Sequence, residues 1–379
     1  MTAPILLSAG GTGGHIFPAR ALAAELSSRG HQVALVTDRR GADFKGALDG
    51  IDVHVVSAET VSGRGFVGRL RGLTTVAVGV FDAHRLLRRI RPAGVVGFGG
   101  YASLPAALAA THLGLPTLIH EQNAVLGRAN RLLVRRVDGI ATSFSDTAGL
   151  PPRIRAHVEH TGNPVRSAVA ELSNSRFSTP KADGPFSLLV FGGSQGAAIF
   201  GEVVPQALAM LPATLRQRLR VVQQCRETHL DSVRRVYADA NISAHLATFF
   251  DDMPSHIAAA QLVIARAGAS TIAELTVAGR PAILVPYPFS ADHHQKANAD
   301  AVEAAQGGWV VPQSAFTPEM LAARLETFLR IGECLARAAR SARLMGKPDA
   351  TARLADFAER LMDENLPVRG PTRFTEIAA

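Results

Sequence analysis

The chain has 379 residues, 47% hydrophobic and 19% charged, which excludes a disordered chain and fits a soluble globular protein with large cores in two ordinary domains. Forty Lys and Arg against 32 Asp and Glu leave a formal charge of +8, so the favoured partners are anionic: nucleic acid, an acidic membrane surface or a phosphorylated substrate. Three Tyr and one Trp give little surface for stacking bases, which disfavours single-stranded nucleic acid.

Strand-like and helical runs alternate from the start. "ILLSA" (5–9) and "QVALVT" (32–37) are short apolar runs of the kind buried in parallel sheets. Between them Phe17, Ala21, Leu22 and Leu26 recur at helical spacing. "VHVVS" (53–57), "GVVGF" (94–98), "PTLIH" (116–120) and "GIATS" (139–143) continue the series. The beginning, "MTAPILLSAGG", lacks the basic n-region of a signal peptide. The uncharged stretch from Pro92 to Ile119 is broken by Gly97, Gly99, Gly100, Pro105 and Pro116, which predicts short buried pieces and not a membrane span.

The pattern then restarts. "FSLLVFGGSQGAAIFGEVVPQAL" (186–208) repeats the grammar of "PILLSAGGTGGHIFPARALAAEL" (4–26): apolar strand, Gly-Gly-polar turn, amphipathic helix. "RVVQQ" (220–224), "LVIAR" (262–266) and "PAILVP" (281–286) follow as strands. Two Rossmann-like halves are expected, each opening on a glycine loop, with a cleft along the carboxyl ends of their strands. The seam falls near "TGNPVR" (161–166), where Asn163-Pro164 disfavours helix. The expected division is 1–164, 165–348, an amphipathic helix at 349–365 packing back on the first domain, and a tail at 366–379. Cys225 and Cys334 fit no metal or redox spacing and read as free thiols of a reducing cytosol.

Each motif has more than one reading. Gly11-Thr12-Gly13 with Asp38 partly matches a dinucleotide fingerprint, but Ile16 replaces its third glycine. Tight packing is the other plain reading of this loop. Ser194 in "FGGSQGA" either caps the following helix or contacts an anion. In "ARAGASTIAELTVAGRP" (265–281) a helix is expected to open at Ser270 or Thr271. Thr271 and Glu274 then form a capping box, unless the Glu274 carboxylate grips vicinal ribose hydroxyls. Asp292, His293, His294, Gln295 and Asn298 lack a third ligand at metal spacing, and no Asp-x-Asp pair stands ready for a divalent ion. A metal-free, sugar-contacting loop is expected there. Asn123 in "HEQN" (120–123) can bridge ligand hydroxyls or simply brace its own loop.

In this order "GGTGGH", "GFGGYASLPA", "HEQN", "GNPVR", "FGGSQGA", "DDM", "RAGASTIAE" and "HQKANA" resemble the MurG family over nearly the whole chain. These are the UDP-N-acetylglucosamine:lipid I glycosyltransferases of bacterial cell-wall synthesis. The resemblance implies an α/β GT-B fold, two Rossmann-like domains facing each other across a cleft. It also implies inverting, metal-independent transfer of N-acetylglucosamine to the C4 hydroxyl of undecaprenyl-diphosphoryl-N-acetylmuramoyl-pentapeptide. No cofactor, no nucleic acid, an anionic membrane surface and cell-wall synthesis proteins as partners follow from it, at the cytoplasmic face of the inner membrane.

Carried over position by position, the likeness gives Glu274 the uridine ribose and gives Ser194 and Arg166 the diphosphate region. Arg266, Ala269, Ser270 and Thr271 stand with Glu274 at the donor-binding helix start. Phe250 falls where the family makes a backbone contact to uracil. Gln295, Asn298 and Asn123 would read the sugar, while Thr12, Gly13, Gly14 and His15 would face donor and acceptor. Residue 294 is glutamine in some relatives and histidine here. His15, at the start of a helix expected from about Ile16, is the candidate base, since the positive end of a helix dipole disfavours imidazolium. Another UDP-sugar enzyme of the same fold, including an epimerase, and a non-catalytic UDP-sugar-binding protein are the alternatives. Residues 66–91 combine Phe66, Leu70, Leu73, Val80, Phe81 and Leu87 with Arg69, Arg71, Arg85, Arg88, Arg89 and Arg91. They read as an interfacial segment or as a core helix with a solvated basic end.

Overall fold

The computed structural model describes residues 3–10, 13–38, 51–56, 66–100, 102–193 and 196–363, with only the backbone for 66–76. The chain divides into two compact units, one comprising residues through Arg166 together with those from Asp349 onward, the other Ser167–Pro348.

The first unit is built on seven parallel strands: β1 (Ile5–Ser8), β2 (Val33–Thr37), β3 (Asp52–Val55), β4 (Gly94–Gly97), β5 (Thr117–Glu121), β6 (Gly139–Thr142) and β7 (His157–His160). Their order is β3-β2-β1-β4-β5-β6-β7, so the direction of winding reverses between β1 and β4. Leu7 lies beside Leu35 of β2 and Val96 of β4. Alternation along β1 sends Ile5 and Leu7 to one core and Leu6 to the other, which is why these three successive positions are all apolar. The core around Leu6 is closed by Ala83 and Leu87 of the helix Phe66–Ile90 and by Ala106, Ala109 and Ala110 of the helix Ser103–His112.

Two helices cover the opposite core, Gly13–Ser28 with Ile16, Leu22 and Leu26, and the last described helix, Ala350–Met362, with Leu354, Phe357 and Leu361. This last helix lies close against the sheet where the strands carry glycine. A Cβ at Gly139 of β6 would stand 3.0 Å from the Phe357 ring, and one at Gly94 of β4 would fall 2.7 Å from Met362. Its polar edge is tied by Arg29 to Asp356 at 2.6 Å and to Glu359 at 2.7 Å, and by Arg360 to both carboxylate oxygens of Glu159.

The second unit carries six parallel strands: β8 (Phe186–Phe191), β9 (Leu219–Gln224), β10 (Ser243–Ala247), β11 (Leu262–Ala265), β12 (Ala282–Leu284) and β13 (Gly308–Val310). The order β10-β9-β8-β11-β12-β13 again reverses at the first strand, between β8 and β11. Phe186, Leu188 and Val190 pack with Phe200, Val204 and Tyr237 in one core. Three strands, β7, β10 and β13, stand at sheet edges where the sequence pattern predicts none. Cys225 and Cys334 are both free.

Candidate active site

Open parallel sheets bind ligands beyond the carboxyl ends of their strands, at the point where the winding reverses. In the first unit that point is occupied by His15. Its helix begins at Gly13 and not near Ile16, so the imidazole sits inside the first turn. Pro18 follows within the same helix and lacks the N–H that would bond the Gly14 carbonyl.

The glycines after β4 form the wall of this site. Gly99 and Gly100 take positive φ, 80° and 76°, and Gly99 O accepts from Gly10 N at 3.2 Å. A Cβ on Gly100 would stand 3.2 Å from His15 Cδ2, and one on Gly99 3.5 Å from Cε1. The backbone conformation favours glycine at both positions, and at Gly100 the tight approach of the ring adds to it. A Cβ at Gly13 would run into the Phe17 ring at 2.9 Å, whereas at Gly14 it would meet nothing within 4 Å among the described residues. Thr12 lies outside the described residues.

Behind the ring, His15 Nδ1 lies 3.2 Å from Gln122 Oε1. The Gln122 amide nitrogen reaches the Phe98 carbonyl at 2.8 Å and His120 Nδ1 at 3.1 Å, and His120 Nε2 lies 3.0 Å from the Gly162 carbonyl. In "HEQN" the sequence singles out Asn123 alone, yet His120 and Gln122 are the members joined to His15.

Glu121, 1% exposed, spends its carboxylate inside the chain. It accepts from the backbone and side-chain nitrogens of Asn123, from Gly127 N at 2.8 Å and from Asn130 Nδ2 at 2.8 Å. It shapes the loop carrying Asn123 and so serves as a brace.

His120 makes the stability of this unit pH-dependent. Burial holds its pKa down to about 4, with the Gly162 carbonyl opposing that and His15 adding to it. An unfolded histidine takes up its proton near 6.5, so between about pH 6.5 and 4 the unfolded state binds more protons and stability falls as the pH drops, by about 3 kcal/mol across the window. Urea unfolding of wild type and His120→Gln at about pH 7 and pH 4.5 checks this. Wild type should lose the extra stability, and equal losses in both proteins would contradict it.

In the second unit the reversal point gathers the glycine loop after β8 and the turn after β11. Gly193 and Gly196 have positive φ, and a Cβ on Gly192 would collide with the backbone at Ala197. The following helix, Ala198–Ala209, has Ala197 at its N-cap position, without a side-chain cap. Ser194 lies outside the described residues.

The helix after β11 runs Ala269–Ala278 and is capped by Gly268. It opens one or two residues earlier than expected, which corrects the capping-box reading: Thr271 is already inside the first turn and Glu274 is the sixth residue. Ala269, Ser270 and Thr271 form that first turn, and the half-buried Ser270 hydroxyl makes no hydrogen bond with a described residue.

Arg266 is committed to the protein itself. Its guanidinium lies 5.4 Å from the ring centres of both Phe200 and Tyr287, and it donates to the carbonyls of Val285 and Pro286 and to Gln313 Oε1 at 2.6 Å. Asn298 is fully buried and donates to the Ala267 carbonyl, bracing the turn before the helix. The stretch expected as a polar loop is largely the helix His294–Ala304, entered through Asp292 and His293 at φ 49° and 53°. Gln295 Oε1 accepts from Tyr287 N at 2.9 Å, which fixes the direction of its amide nitrogen. Phe250 is buried, edge-on to His245 and His256. Arg166, the last residue of the first unit's long segment, is exposed.

Among the described residues no group of three His, Cys, Asp or Glu gathers at metal-binding distance, and no helix is long and apolar enough to cross a membrane.

The glycosyltransferase family 28 N-terminal domain matches residues 5–142 and the glycosyltransferase family 28 C-terminal domain matches 187–360. A UDP-N-acetylglucosamine--N-acetylmuramyl-(pentapeptide) pyrophosphoryl-undecaprenol N-acetylglucosamine transferase of Paramagnetospirillum magneticum is 52% identical over 93% of this chain and 95% of its own. The protein of the same name from Rhodospirillum centenum is 54% identical over 93% of each chain. The crystal structure of Acinetobacter baumannii MurG is similar with a TM-score of 0.77 at 31% identity, covering 94% of this chain and 99% of that one. Two parallel-sheet Rossmann-like units, a histidine at the first reversal point and this likeness over nearly the whole length lead to one assignment: the chain belongs to glycosyltransferase family 28 and, within it, to the MurG family.

Proposed function

We infer that the chain transfers N-acetylglucosamine from UDP-N-acetylglucosamine to the C4 hydroxyl of undecaprenyl-diphosphoryl-N-acetylmuramoyl-pentapeptide, the lipid I to lipid II step of peptidoglycan synthesis, with inversion and without metal. The observation that carries the mechanistic reading is His15, seated among Gly10, Gly99 and Gly100 at the reversal point of the first sheet. His15 takes the C4 hydroxyl proton as the oxygen bonds to C1 of the donor sugar. The bond from C1 to the diphosphate oxygen breaks on the opposite face, and UDP leaves with the electron pair. Helix N-termini at Gly268 and Ala197 suit the diphosphate, and with Arg166 they answer its growing charge as the metal does in other enzymes. Purified protein should release UDP from UDP-N-acetylglucosamine when a lipid I analogue is added. Equal release without acceptor points to a hydrolase or an epimerase-like activity instead.

Glu274 takes the ribose hydroxyls in this reading, supported by its place on the donor-side helix beyond the capping positions. Glu274→Ala should weaken UDP binding by roughly 1.5–3 kcal/mol, the range for a hydrogen bond to a charged group. Calorimetry showing unchanged affinity in a folded variant removes it from the donor site.

The membrane surface is met by the helix Phe66–Ile90. Phe81 is 63% and Val78 54% exposed, beside exposed Arg85, Arg88 and Arg89. Leu87, expected on the same apolar face, belongs instead to the core, and Val80 is half-buried. An exposed apolar strip edged by arginines suits an anionic leaflet, each cation near the surface contributing about 1 kcal/mol. Co-sedimentation should require anionic lipid, weaken with salt and fall in Phe81→Ser. Binding indifferent to lipid charge contradicts this.

A further inference from the structure

The polar groups behind His15 favour one assignment of protons. His120 Nε2 lies 3.0 Å from the Gly162 carbonyl and 3.4 Å from the Ser143 hydroxyl; the carbonyl only accepts and is the nearer, which places the His120 proton on Nε2. The ring is neutral near pH 7, since burial holds its pKa to about 4, and Nδ1 therefore carries a lone pair. The Gln122 amide faces that lone pair at 3.1 Å and the carbonyls of Phe98 and His120 at 2.8 and 3.3 Å. All three accept, so it is the amide nitrogen that faces them, and Oε1 is turned towards His15 Nδ1 at 3.2 Å. An amide oxygen cannot donate. His15 Nδ1 must.

We propose that Gln122, oriented by buried His120, is a positioning residue that holds neutral His15 in its Nδ1–H tautomer and thereby makes Nε2 the basic nitrogen presented to the acceptor hydroxyl. The proposal rests on His15 being the base and adds what selects its nitrogen. The fold supplies each part from a different strand end: the Phe98 carbonyl after β4, His120 in β5 with Gln122 after it, and Gly162 after β7. A Cβ on Gly100 would stand 3.4 Å from Nε2, so glycine there keeps a side chain off the working edge of the ring. The titratable group behind the relay is His120; the carboxylate of Glu121 is turned towards Asn123, Gly127 and Asn130. A neutral amide orients the imidazole without adding a charge beside it, unlike the carboxylate of a serine-protease triad.

The test reads the tautomer itself. Full-length protein with ¹⁵N-labelled histidine gives two-bond ¹H–¹⁵N spectra in which a protonated and an unprotonated ring nitrogen are distinct, and His15 is assigned by its loss in His15→Asn. The wild type should show Nδ1 protonated. Gln122→Met should shift His15 towards the Nε2–H form and lower kcat roughly 10–100-fold, a part of what a positioned base contributes, with little change in KM for UDP-N-acetylglucosamine. Gln122→Glu keeps an accepting oxygen towards His15, but its second oxygen replaces the amide nitrogen against three acceptors, so it should recover only part of the kcat lost in Gln122→Met and part of the Nδ1–H signature. An Nε2–H signature in the wild type overturns the proposal, as does a His15 tautomer unchanged in Gln122→Met. If Gln122→Met does not fold, the wild-type spectrum and Gln122→Glu decide. Normal turnover in His15→Ala would remove the base reading while the spectra still judge the relay, so the two failures remain distinct.

Discussion

His15→Ala is expected to cut turnover by about 10²–10⁴-fold at saturating substrates, the range for a positioned general base, and to leave UDP affinity nearly unchanged. The ring is placed where a proton acceptor is needed. It lies in the first turn of a helix beyond β1, flat against Gly99 and Gly100, with its Nδ1 edge held by Gln122. A phosphate contact can be met by backbone N–H groups at a helix start, whereas the imidazole adds a lone pair that can take a proton. Loss of the side chain removes proton transfer from the reaction but no donor-binding group, so kcat carries the effect. A variant whose KM for donor rises while kcat stays normal would mark His15 as a binding residue. Near-normal values of both would remove it from the mechanism.

Phe357→Ala is expected to destabilise the first unit by about 3–5 kcal/mol, as truncation of a buried aromatic usually does. The side chain is 2% exposed and packs with Leu354, Leu361, Ile5 and Leu7. Gly139 leaves no side chain of its own to fill the space. The salt bridges of Arg29 and Arg360 lie at partly exposed edges and are each worth far less, about 0–1 kcal/mol, so they cannot compensate. Urea unfolding followed by hydrogen exchange at strands β1 and β6 should show the loss there and not at β8 or β11. A loss below about 1 kcal/mol would mean the helix Ala350–Met362 is only loosely attached.

The apolar strands are legible in the sequence because a strand buried on both faces is apolar at most successive positions. β1, β4, β6 and β11 are buried throughout and can be read from "ILLS", "GVVG", "GIAT" and "LVIA". β7, β10 and β13 escape because an edge strand is half solvated. "HVEH" and "SAHLA" carry polar residues that satisfy the edge and erase the apolar run, and "GWV" is three residues long. Helix starts are misplaced for a related reason. Both Gly13–Ser28 and Ala269–Ala278 open on small residues whose backbone alone makes the first turn, so the polar side chains that usually mark a cap are misleading. Within the site, His15 and Glu274 stand out as ionisable residues beside glycine turns. The roles of Gly99, Gly100, His120 and Gln122 do not, since they depend on strands far apart in the chain meeting at one end of the sheet. Nothing in the local pattern of "HEQN" distinguishes the glutamine that reaches His15 from the glutamate that braces its loop.

The most direct test of the central claim is the bond the protein makes. With UDP-N-acetylglucosamine labelled in the sugar and a lipid I analogue, in the presence of a chelator, the product's linkage is read by NMR. Inverting, metal-independent transfer predicts one new glycosidic bond to C4 of the muramoyl residue, with β configuration from the α-linked donor, formed at a rate the chelator leaves unchanged. An α-linked product, attachment at another hydroxyl, or a rate abolished by chelation and restored by a divalent ion would contradict it.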